Sequence, residues 1–277
     1  MKRFLSAILL ASLAFAGVSV QAQNPAPKQK PILNPAPTAK DWADLAKLPD
    51  FSGVWNPKIT DQDAQVKTNM PPWNEKAAER IRFQLKEEKE GRPPPLFVNC
   101  LPEAMPAWML VTHNAMKILY TPGRVTLLGE SDGGRLRRIY TDGRSFPPDP
   151  DPTFHGYSIG KWEGNALVVE TIGVVPQALI AVSEAAGVPN NGDMRIKERF
   201  YLAEKDILHV DLEITAPKVL TKPWKTTRIY FRQRARMYDI VEGVCMEGYF
   251  RPAVDKDGYE IYIPIQHDVG GNRVPPK

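Results

Sequence analysis

Histidine, cysteine and phosphate-binding loops are what this chain has little of. Its 277 residues include 4 histidines and 2 cysteines. No two histidines stand at ligand spacing, and neither C-x-x-C nor clustered His accompanies Cys100 or Cys245, so no metal site is expected. No dinucleotide fingerprint and no phosphate loop occur, which argues against nucleotide and redox-cofactor enzymes, and no cofactor is expected. A large excess of one charge is missing too, with 36 basic against 32 acidic side chains. Part of that small basic excess lies in Lys2 and Arg3, so nothing supports a nucleic-acid partner.

Long apolar runs are also scarce. The one such run, Phe4 to Val20, follows Lys2 and Arg3 and ends at Val20-Gln21-Ala22. This reads as a secretory signal peptide over 1–22, cleaved after Ala22, which implies a periplasmic or secreted protein. The run is shorter than the roughly 20 residues that span a bilayer, so stable membrane insertion is not expected. Residues 23–48, with prolines at 25, 27, 31, 35 and 37, read as a flexible leader. An exported setting permits a disulfide between Cys100 and Cys245, although spacing alone does not establish one. The oligomeric state is not legible.

What the chain does have is alternation. After a short strand at Phe51–Trp55, Glu75 to Glu90 reads as the one long helix, with Ala77, Ala78, Ile81 and Leu85 on one side and Gly91 at its end. From Met116 onward the period is two. Strands are expected at 117–120, 124–130, 135–140, 157–162, 166–171, 194–202, 207–215, 225–232 and 237–245. Short reversals and hardly any helix between them predict a mostly β fold, an antiparallel barrel of about nine strands over residues 49–250, followed by a tail at 251–277. Gly173 to Asp193 interrupts the series as a lid-like excursion with a possible short helix at Gln177–Ala186.

Alternation also nominates a site. Leu208, Val210, Leu212 and Ile214 share an apolar face, and on the neighbouring strand Glu198 shares one with Ile196, Phe200 and Leu202. A carboxylate among apolar neighbours needs a partner. Arg138, beside Leu136 and Tyr140 at alternate positions, and Arg228, beside Tyr230, are candidates to face it. Arginine would hold a substrate carboxylate, Glu198 would act as general acid or base, and Tyr140 would position an oxygen. His155, beside Tyr157 and Trp162 at the end of a proline-stiffened loop, is the candidate proton carrier at a barrel mouth. Tyr157, Trp162, Arg228 and Tyr230 are expected to line the substrate pocket.

The stretches "RRIYTDGR" (137–144), "DPDPTFHGYSIGKWEGNALVVETIG" (149–173), "KERF" (197–200) and "TKPW" (221–224) resemble signatures of a family of secreted bacterial proteins. The resemblance covers roughly residues 50 to 250 and implies a barrel similar to the calycins, the lipocalins and their relatives. It brings no established chemistry. Ser145-Phe146-Pro147 departs from the family pattern, which has a histidine before the proline.

Three readings follow. One is a cofactor-independent lyase, such as a decarboxylase, acting on an amphiphilic aromatic carboxylate. The second is a non-catalytic carrier for small hydrophobic or aromatic molecules. The third is a serine hydrolase at Ser158, within Gly156-Tyr157-Ser158-Ile159-Gly160. That pattern requires a strand turning into a helix, whereas here another strand follows. His209, Asp211 and Glu213 alternate on one strand and are expected to form a solvated exterior.

Overall fold

Period-two alternation becomes a closed barrel in the computed structural model, which describes residues 35–94, 96, 102–111, 113–130, 135–241, 250–254, 256 and 260–264. Its strands are β1 (Gly53–Pro57), β2 (Met116–Thr121), β3 (Arg124–Gly129), β4 (Arg135–Tyr140), β5 (Tyr157–Glu163) and β6 (Ala166–Ile172). They continue, after a small separate hairpin of β7 (Leu179–Ala181) and β8 (Gly187–Pro189), with β9 (Arg195–Glu204), β10 (Ile207–Thr215) and β11 (Trp224–Gln233). Nine strands close in the order β1-β11-β10-β9-β6-β5-β4-β3-β2. A further hairpin pairs β12 (Phe250–Val254) with β13 (Glu260–Pro264). Residues 1–22, read from the sequence as a signal peptide, and both cysteines, Cys100 and Cys245, lie outside the described residues.

Closure differs from a simple meander in two places. β1 pairs antiparallel with both β11 and β2 and so joins the two ends of the sheet. The stretch expected as a last strand, 237–245, does not take that place: Met237 to Val241 form no strand, and 242–245 lie outside the described residues. The second departure is parallel. β4 and β5 run in the same direction and pair only as Ile139↔Ser158 and Tyr140↔Ile159. Residues 141–156, with their Asp-Pro steps, carry the chain back so that β5 can start level with the end of β4. Arg135–Arg138 therefore have no β5 residue alongside. This is the seam of the barrel.

One end is filled by aromatic rings. Trp162 packs at 5.5 Å from Phe51 and 5.8 Å from Tyr120. The Tyr120 hydroxyl donates to the Pro49 carbonyl at 2.8 Å and accepts from the Phe51 N–H at 3.0 Å. Toward the other end lie α2 (Asp61–Lys67) and the buried turn α4 (Ala107–Leu110). Gln62 and Gln65 of α2 donate to the carbonyls of Val111 and Leu110.

The excursion at 173–193 is not helical. It folds into the β7–β8 hairpin, and Ile180, Ala181, Val182 and Ala186 are fully buried. Branched Ile180 and Val188 favour a strand over the expected helix. The long helix forms as the spacing predicts, as α3 (Glu75–Lys89), capped by the Asn74 side chain on the Ala77 N–H. It packs on the hairpin, where the Gln84 side chain accepts the Gly187 N–H at 3.1 Å. Within the stretch read as a leader, Ala39–Asp44 form a short helix, α1, closed by a Thr38–Asp41 capping box.

Candidate functional site

Inward positions of four strands bring one polar cluster together inside the barrel. β4 supplies Arg137, β5 Ser158, β6 Thr171 and β9 Glu198, each at most 2% exposed. Sheet register forces the meeting, since Ser158 is paired with Thr171 and Val169 with Glu198. Arg137 Nη1 donates to Glu198 Oε1 at 2.8 Å, and Nη2 meets Oε2, so the pair is bidentate. Arg137 Nη2 also donates to Thr171 Oγ1 at 3.0 Å and to Ser158 Oγ at 3.3 Å. Ser158 and Thr171 close the network at 2.8 Å. In a dry interior a carboxylate and a guanidinium are tolerable only with such mutual satisfaction.

Arg228 of β11 is different. It is fully buried, and among the described residues none of its three side-chain nitrogens has a hydrogen-bond partner. Tyr230, two residues on and 1% exposed, has an equally unpartnered hydroxyl. The two groups interact electrostatically without forming a hydrogen bond of ordinary geometry. Burial pushes the Tyr230 phenol up to about 12 against the opposing pull of the Arg228 charge. A second buried pair, Arg135 with Glu103 at 2.8 Å, sits at the seam.

The expected constellation of Arg138, Tyr140 and Glu198 does not assemble. In "RLRRIY" it is Arg135, Arg137 and Ile139 that face inward, while Arg138 is exposed and Leu136 and Tyr140 lie on the outer face. Both faces of β4 mix arginine with apolar residues, and the apolar content of the outer one is explained by what covers it. Residues 153–157 lie against it, with the Tyr140 and Tyr157 rings 5.2 Å apart. Arg137, Arg135 and Thr171 were thus missed. The signal for Arg137 was available, because it alternates with Ile139 as Arg138 does with Tyr140.

His155 is at the seam. Its ring packs 5.2 Å from Trp108, and its Nδ1 is buried without a hydrogen-bond partner among the described residues. Burial, helped by the charges of Arg137 and then Arg135, pulls its pKa down to about 4. A neutral imidazole results at neutral pH, not one poised to shuttle protons. Trp162 belongs to the aromatic plug at the end of the barrel, far along β5 from the outer cleft that Tyr157 lines.

Ser158 is fully buried, and its hydroxyl is engaged by Thr171 and Arg137, with no histidine among its partners. An elbow serine has to be presented to a substrate, and this one is not. On the outer face of β10, Asp211 accepts from Thr227 Oγ1 at 2.7 Å, Glu213 pairs with Lys225 at 3.0 Å, and His209 lies against Tyr201. Each is satisfied sideways along the sheet. Among the described residues no group of three or more His, Cys, Asp or Glu could hold a metal ion.

Beside the Arg135–Glu103 pair at the seam, two buried polar systems stand inside the barrel. Arg137–Glu198 is closed on itself. Arg228–Tyr230 has donors to spare, the chemical requirement for gripping an anion.

No protein-family model and no curated protein matches the chain. Solved structures that resemble it are small barrels. A REP1-NXSQ fatty acid transporter aligns at 11% identity and a TM-score of 0.33, over 70% of this chain and 99% of that one. Zebrafish ileal bile acid-binding protein complexed with cholic acid aligns at 10% and 0.33, over 66% and 98%. A variant of the fluorescent protein UnaG aligns at 14% and 0.32, over 66% and 95%. At these identities and scores no ligand carries over to this chain.

Proposed function

We propose that this barrel is an exported carrier for a small hydrophobic molecule bearing one carboxylate, which is held inside the barrel by Arg228 with help from Tyr230. The observation that carries the reading is the set of unpartnered nitrogens on a fully buried Arg228. A buried cation without hydrogen-bond partners is costly, and an anionic ligand would satisfy several of its donors at once. Glu198 does not fill that role, because both its oxygens already belong to Arg137. Beside Arg228 the inner face carries buried apolar side chains, Val210 and Phe200 among them, which offer the ligand's apolar body a matching environment.

Calorimetric titration with dodecanoate and with its methyl ester tests this. The acid should bind, and both the ester and Arg228→Met should lower affinity by about tenfold or more, the worth of a charge-assisted hydrogen bond. Equal affinity for acid and ester would overturn the reading. Lyase chemistry at Glu198 requires that carboxylate to leave Arg137 first. Mass analysis of the ligand after incubation separates the two readings, since a carrier returns its ligand unchanged and a lyase does not.

A further inference from the structure

Outside the barrel, Arg138, Tyr140, Phe154, His155 and Tyr157 line a cleft of about 400 Å³ between the outer face of β4 and the segment that enters β5. We propose that this cleft is a second ligand site, distinct from Arg228, and that it takes a planar aryl carboxylate.

The walls are held in place. Thr153 donates to the Gly173 carbonyl at 2.9 Å and accepts from the Val175 N–H at 3.0 Å, and the Phe154 carbonyl accepts from the Met105 N–H at 2.9 Å. With both sides of the cleft tied to the barrel, little ordering remains to be done on binding. Its volume falls in the range of small-molecule sites and suits one or two fused rings.

The lining specifies flat and aromatic. Tyr140 and Tyr157 lie 5.2 Å apart with their planes 31° from parallel, and Phe146 meets Tyr157 edge-on at 6.1 Å. A further ring extends such a stack at offset or tilted geometry.

The charge specifies a monoanion. Arg144 sits 3.9 Å over the Tyr140 ring, but its guanidinium is tied to Asp142 by hydrogen bonds of 2.9 and 3.0 Å from Nε. Among the described residues Arg138 is the only charged side chain lining the cleft, and it makes no ion pair or hydrogen bond with them. The His155 ring in the wall is neutral at neutral pH and adds no second charge. One free guanidinium beside an aromatic wall fits a carboxylate on a ring.

The test is a titration of the full chain with 2-naphthoate and with neutral 2-naphthamide, followed through the histidine ring signals by NMR. With 4 histidines in the chain, His155→Gln assigns the relevant pair of signals. Naphthoate should move the His155 signals, and the amide should bind more weakly. Arg138→Gln, an exposed change that keeps the fold, should weaken naphthoate by about fivefold. Tyr157→Leu should also weaken it, whereas Arg228→Met should leave the naphthoate-induced movement of the His155 signals unchanged. The proposal is overturned if naphthoate does not bind, if the Arg138 and Tyr157 variants bind it as well as the parent does, or if only the Arg228 variant loses it. The dodecanoate titration fails or succeeds independently, so the two sites are judged apart.

Discussion

Arg137 and Glu198 stand 61 residues apart in sequence, yet their side chains close a bidentate pair inside the barrel, with Nη1 to Oε1 at 2.8 Å. β4 and β9 are not neighbours in the sheet, so the pair spans the interior across β5 and β6. Removing one partner strands a buried charge. Arg137→Met or Glu198→Gln should therefore each cost about 3–5 kcal/mol in urea unfolding. The double change to Met and Leu should recover most of that loss, because an apolar pair of similar volume fits a dry core. A double variant as unstable as the sum of the singles would show that the two groups are not coupled.

Arg228 should respond in the opposite direction. Its charge lacks a hydrogen-bonding partner, so Arg228→Met should raise stability by about 1–4 kcal/mol while lowering carboxylate affinity. Thermal melts with and without dodecanoate read both effects. Stabilisation without any loss of affinity would sever the charge from ligand binding.

The depressed pKa of His155 sets a pH window. The unfolded imidazole takes up its proton near 6.5 and the folded one only near 4. Between those values the unfolded chain binds more protons, so stability falls as pH drops from about 6.5 to about 4 and is fully present above that range. The contribution is up to about 3 kcal/mol, since each unit of difference is worth about 1.4 kcal/mol. Arg137 and Arg135 oppose the charged ring, with burial the larger cause. Unfolding free energies at pH 7 and pH 4.5 should differ less in His155→Gln than in the parent. Identical pH dependence in the two would refute the window.

Ser158 should behave as a structural hydroxyl. A fluorophosphonate probe should leave it unlabelled, because it is fully buried. Ser158→Ala should cost about 1–2 kcal/mol from the unpaired Thr171 and Arg137 groups it leaves behind. Labelling at Ser158, detected by peptide mass analysis, would restore the hydrolase reading.

The barrel was legible because its strands alternate cleanly: 135–140 and 207–215 match β4 and β10 end for end. The buried position of Glu198 was legible for the same reason, given its apolar neighbours on one face. Its partner was not. In β4 both faces carry arginine, and alternation fixes two groups without saying which is inside. That choice is made by residues 153–157 lying on Tyr140, a tertiary contact with no local signature. The parallel seam was hidden likewise, since a proline-stiffened loop of that length serves an antiparallel return as well as a parallel one. Strand propensity in Ile180 and Val188 outweighed the possible helix at Gln177–Ala186.

Gly156 is where the loop becomes strand, and it tests the seam directly. Its φ is +67°, and a Cβ there would meet the Ile172 carbonyl oxygen at 2.7 Å and Thr171 Cγ2 at 2.7 Å. Gly156→Ala therefore combines backbone strain with a collision against β6, at a cost of about 2 kcal/mol or more. Gly164 is the control. It has φ +59° but open space around its Cβ position, so Gly164→Ala should cost only the conformational strain, about 1 kcal/mol. Because the collision with β6 displaces 153–157, which wall the outer cleft, Gly156→Ala should also weaken 2-naphthoate there, and Gly164→Ala should not. Equal losses of stability in the two variants would mean that the entering segment does not press on β6 as described, and the cleft wall would lose its anchor.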